Sequence, residues 1–81
     1  MDIDIYKVNT PHKNDIRIRM NPKFDSQVVG FMDYGTPVKI QCIREGWGYV
    51  SIHGIDGWVY MRYMKKRPNW NIFKRKDKDN G

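Results

Sequence analysis

Hydrophobic residues in this chain tend to fall at every second position, in short runs cut by glycine, proline, asparagine and aspartate. Period-two alternation between turn residues predicts strands, and no sustained helical spacing appears before residue 60. "DIYKVN" (4–9) alternates as an opening strand, and "TPHKND" (10–15) is a polar loop punctuated by Pro11. "DIRIRM" (15–20) sets Ile16 and Ile18 on one face against Arg17 and Arg19 on the other, the pattern of a half-buried strand. "NPKFDS" (21–26) carries turn chemistry, with Asp25 and Ser26 able to bond nearby backbone and Phe24 as an exposed aromatic. "QVVGFM" (27–32) is a strand in which Gly30 marks a bulge or a close backbone approach, and "DYGT" (33–36) is a turn.

The same reading makes "PVKIQCI" (37–43) one half-buried strand with Val38, Ile40 and Cys42 inward. Cys42 is thus expected to be a small buried hydrophobe. After a turn at "REG", "WGYVSIH" (47–53) places Gly48, Val50 and Ile52 on one face and Trp47, Tyr49, Ser51 and His53 on the other. A turn at "GIDG" (54–57) leads into "WVY" (58–60), where Val59 is out of phase with its aromatic neighbours, and "MRYM" (61–64) fits a single 3₁₀ turn. Five to six short strands joined by turns, without crossover helices, predict an all-β fold, a small SH3-like antiparallel barrel over residues 1–64. Residues 65–81 form a basic C-terminal tail or linker containing aromatics.

Six elements in order then resemble the bacterial SH3 domain, the SH3b family, across residues 6–64. They are Ile16-Arg17-Ile18-Arg19-Met20-Asn21-Pro22, Val28-Val29-Gly30, Gly35 ahead of Val38 and Ile40, Gly46-Trp47, Gly57-Trp58-Val59, and Tyr63-Met64. Met20-Asn21 stands where the family's usual pattern has Ser-Gly, and the 10–15 loop is longer than typical. The resemblance implies a noncatalytic targeting module that holds the peptide part of bacterial cell-wall peptidoglycan in an aromatic groove. It also implies that Trp58 is structural and covers the barrel, while Trp47 stands exposed near the groove. Gly46 and Gly57 are expected to lend backbone freedom at the starts of the two tryptophan strands.

Composition sharpens this picture in two places. The formal net charge is +6, yet residues 65–81 hold seven basic and two acidic groups, so the body is nearly neutral. The tail, with Lys65, Lys66, Arg67, Trp70, Lys74, Arg75 and Lys76, has three open readings: a solvated linker, a segment packing Trp70 and Phe73 onto the barrel, or a contact for an anionic polymer, lipid surface or nucleic acid. Aromatic residues make up 14% of the chain, more than so small a barrel buries completely. Trp47, Tyr63, Tyr49, Phe24, Asn21 and Tyr34 are the groove candidates, with Tyr34, Tyr49 and Tyr60 equally readable as half-buried staves.

Catalytic chemistry finds no pattern: no nucleophile is spaced to a base, and one cysteine with two histidines makes neither a disulfide nor a metal site. No enzyme activity, cofactor or metal is expected, and His53 is read as a surface residue. The expected partner is peptidoglycan or a peptide segment of another protein, with a linked hydrolase domain in any longer parent chain; nucleic acid is not favoured, and the domain is expected to be a monomer. No run is long enough to span a membrane. The location is cell wall or extracellular if the chain belongs to a longer secreted protein, and cytoplasmic, as an intracellular interaction domain of phage-like origin, if it is complete.

Overall fold

A computed structural model describes residues 5–66. Eight strands are joined by turns: β1 (Ile5–Val8), β2 (Ile16–Arg19), β3 (Val28–Met32), β4 (Pro37–Lys39), β5 (Cys42–Arg44), β6 (Trp47–Ile52), β7 (Ile55–Tyr60) and β8 (Met64–Lys66). Two 3₁₀ turns, Pro11–Lys13 and Met61–Tyr63, complete the elements. The strands form two antiparallel sheets, a three-stranded one in the order β4-β1-β8 and a five-stranded one in the order β3-β2-β7-β6-β5. The expected all-β, SH3-like architecture is what the chain adopts.

The inner faces of the two sheets meet in one core: Val8, Ile16, Ile18, Met32, Val38, Ile40, Val50, Val59 and Met64, all buried. Val59 faces inward between Trp58 and Tyr60, as its phase predicts, and Ile16 and Ile18 do so in β2. Where β7 meets β2 in the five-stranded sheet, a side chain does not fit. A Cβ on Gly57 would lie 2.6 Å from the Arg19 carbonyl oxygen and 2.7 Å from Ile18 Cγ2. Gly57 is therefore there for space rather than for the backbone freedom expected of it. A Cβ on Gly30 would likewise lie 2.9 Å from Ile55 Cδ1, and the β2–β3 register slips between Ile18 and Arg19, a bulge beside it.

The stretch 37–43 corrects the sequence reading. It is two strands: β4 pairs with β1 in one sheet, and β5 pairs with β6 in the other. The chain changes sheets at Ile40 and Gln41, where the Gln41 N–H donates to the Tyr49 carbonyl at 2.9 Å. Alternation holds only within an unbroken strand, so Ile40 is buried while Cys42 is exposed. Two further boundaries shift. The turn placed at 54–57 is His53-Gly54, because Ile55 and Asp56 already pair with Ile52 and Ser51. Lys65 and Lys66, read as tail, lie in β8 opposite Lys7 and Tyr6.

Candidate functional site

The outward face of the five-stranded sheet carries the aromatic residues. Residues directly opposite across antiparallel strands share a face, so Trp47 stands beside Tyr60, and Tyr49 beside Trp58. The loop between β2 and β3 folds over the first of these pairs. Phe24 at its tip lies 4.8 Å from Trp47 and 4.7 Å from Tyr60, centroid to centroid, both in edge-to-face packing. Trp47 and Tyr60 are 5.2 Å apart, and Tyr63 in the second 3₁₀ turn is 5.7 Å from Tyr60. Such contacts add stabilisation beyond the area buried.

Ser26 fastens that loop. Its buried hydroxyl accepts from the Asn21 N–H at 2.8 Å, and its carbonyl accepts from Arg19 Nη1 at 2.8 Å. The local backbone bonding expected of Asp25 and Ser26 is thus made by Ser26. Asn21 is used through its backbone in this loop and does not line the groove.

Beside the aromatic cluster runs an open groove of about 510 Å³ lined by Phe24, Trp47, Tyr60 and Tyr63 at one end, and along its other sides by Arg19, Arg17, Ile16, Asp15, Asn14, Pro11 and Thr10. The polar side is the loop read as unusually long. There the Thr10 hydroxyl donates to the Asn14 carbonyl, and the Asn14 N–H donates to the Pro11 carbonyl at 3.2 Å. His12 and Lys13 within it both have left-handed backbone, φ 56° and 58°, a conformation that costs a side chain energy and persists where surroundings impose it.

The structure sorts the sequence candidates. Trp47, Tyr63 and Phe24 come together at the groove. Tyr49 lies with Trp58 in a separate pair, 5.2 Å apart, with the Arg44 guanidinium 5.8 Å from the Trp58 ring. Tyr34 is exposed in the turn after β3 and lines no part of the groove. The two tryptophans reverse their expected settings: Trp47 is 6% exposed beneath Phe24, and Trp58 is half-buried on the open face. Of the basic-tail candidates, Lys65 and Lys66 are in β8, while Arg67, Trp70, Lys74, Arg75 and Lys76 lie outside the described residues. Arg17 and Arg19 were not singled out for the groove, being read only as the polar side of a strand, and Tyr60 was left between binding aromatic and half-buried stave.

Asp15 is the one carboxylate lining the groove, and the hydroxyl of Thr10 is committed to a backbone carbonyl. Among the described residues no group of three or more His, Cys, Asp or Glu is placed to hold a metal ion. No helix among them is long and apolar enough to cross a membrane.

The family model described as "Bacterial SH3 domain" matches residues 14–65, more than half of the chain and nearly the whole span of the sequence resemblance. The chain belongs to the bacterial SH3 domain family. Among curated proteins, this SH3 domain is similar to "Putative N-acetylmuramoyl-L-alanine amidase YrvJ" of Bacillus subtilis (strain 168), 24% identical over 51 residues. That match covers 63% of this chain and 10% of the relative, so the domain spans about a tenth of that protein's length. No solved structure matches it. An SH3 domain of this family, similar to a small part of a much longer protein, is a noncatalytic binding module.

Proposed function

We propose that this SH3 domain binds the peptide portion of bacterial cell-wall peptidoglycan in the groove between the 10–15 and 20–27 loops, and so tethers whatever is linked to it at the wall. The observation that carries this reading is the groove itself: rigid rings from Phe24, Trp47, Tyr60 and Tyr63 beside exposed polar groups on β2 and the 10–15 loop. Rings of this kind give contact area at little entropic cost, and the rim supplies hydrogen bonds that orient an extended chain. The similarity to a protein named as an N-acetylmuramoyl-L-alanine amidase supports the choice of polymer, because the bond in that name joins glycan to peptide in peptidoglycan. A hydrolase carrying such a module would meet its substrate at a raised local concentration, which places the domain outside the cell at the wall.

Co-sedimentation with purified peptidoglycan sacculi tests this. The full chain is expected in the pellet, and Phe24→Ala is expected to stay in the supernatant while its melting temperature falls little, since Phe24 is 59% exposed. If neither protein pellets, the groove serves a peptide of another protein instead. If both pellet equally, wall binding lies elsewhere on the molecule.

A further inference from the structure

The groove's aromatic end contains a charge that the fold leaves unanswered. Arg19 is half-buried at the end of β2, and among the described residues its side chain makes a single hydrogen bond, Nη1 to the Ser26 carbonyl at 2.8 Å. Among the described residues it forms no ion pair, and neither does Arg17 two residues before it. Both line the groove with Asp15, at alternate positions and so on one face of the chain. Asp15 lies four residues from Arg19, roughly 13 Å along an extended chain, with Arg17 between them.

A guanidinium has five N–H donors in a planar fork, and burying part of it without a carboxylate partner costs solvation that a ligand can restore. The Ser26 carbonyl holds the side chain in place, so little freedom is lost when the remaining N–H groups engage. The carbonyl that holds it is two residues from Phe24 in the same loop, and Arg19, Phe24, Trp47 and Tyr60 all line the groove.

We infer that Arg19 is a carboxylate anchor: the groove takes peptides that place a carboxylate at the Phe24 end, with their backbone running along β2 away from Asp15. Arg17, fully at the surface, adds only to the general positive field there. This rests on the groove being the binding site proposed above and adds what that site selects. The carboxylate has two possible sources, a chain terminus or an acidic side chain.

The test uses three short probes on the full chain, followed by the Trp47 indole and Arg19 side-chain NMR signals: acetyl-Ala-Ala with a free acid, the same peptide as its amide, and acetyl-Ala-Glu amide. The free acid is expected to bind roughly tenfold more tightly than its amide, the scale of one charge-assisted contact. Preference for acetyl-Ala-Glu amide over Ala-Ala amide assigns the site to side-chain carboxylates, and preference for the free acid alone assigns it to termini. Arg19→Gln should erase the preference, Arg19→Lys should keep part of it, and Lys39→Gln, on β4 and outside the groove lining, should leave it intact. Equal binding of all three probes, no response to any probe at tens of millimolar, or a preference that survives Arg19→Gln overturns the inference. The acid–amide comparison on the unaltered chain needs no variant to fold. If sacculi are bound but the three probes bind equally, the anchor fails and the wall reading stands. If sacculi are not bound while Arg19 selects acids, the wall reading fails and the anchor stands.

Discussion

At the scale of single residues, the two tryptophans show where local sequence stops being informative. Each follows a glycine, and each sits on the outward face of adjacent paired strands, so alternation treats them alike. What separates them is a long-range event: the 20–27 loop folds back and lays Phe24 on Trp47, leaving Trp58 with Tyr49 and Arg44 at the surface. Periodicity along one strand carries no record of which loop covers its outer face. The inward residues Ile16, Ile18, Val50 and Val59 were legible because they need only the phase of their own strand. Trp47→Ala is accordingly expected to cost about 3–5 kcal/mol of stability, and Trp58→Ala no more than roughly 1–2 kcal/mol. Urea unfolding of both variants measures the difference, and a larger loss at Trp58 would contradict the packing described.

At the scale of elements, strand identities were read well and the points where strands end less so. Cys42 is the clear case: three apolar residues in phase concealed a change of sheet at Ile40 and Gln41, which only pairing partners reveal. The two hairpins of the large sheet make a similar point. Glu45-Gly46 and His53-Gly54 each join their strands with two residues, all at positive φ, the mirror-image turn whose twist matches paired strands. Glutamate and histidine are poor signals for it, so the second turn was placed two residues late. Asparagine accepts left-handed backbone more readily than either. Glu45→Asn and His53→Asn should each stabilise the domain by on the order of half a kcal/mol, read as a raised melting temperature. A lowered temperature for both would mean the turns are of another kind.

At the scale of the whole molecule, the candidate site is an assembly of distant parts: a loop at 10–15, β2, a loop tip at Phe24, the start of β6, the end of β7 and the 3₁₀ turn after it. The sequence offered Trp47, Tyr63 and Phe24 because exposed aromatics attract attention. It also offered Tyr34 and Tyr49, which the topology carries elsewhere, and it passed over Arg19, whose role depends on the Ser26 carbonyl and on what does not pair with it. Charge separates groove binding from attraction of a polycation, since residues 65–81 hold most of the net +6. Contacts in a groove are short-range and survive salt, whereas phosphate-like contacts by lysines weaken steeply with it.

The most direct measurement is a titration of the isotopically labelled full chain with soluble peptidoglycan fragments at low and high salt, following the indole N–H signals of its three tryptophans. The groove account predicts that the Trp47 signal moves, saturates at both salt concentrations and leaves Trp58 in place. Movement of Trp58 or Trp70 with Trp47 unmoved, or a response lost at high salt, would contradict it.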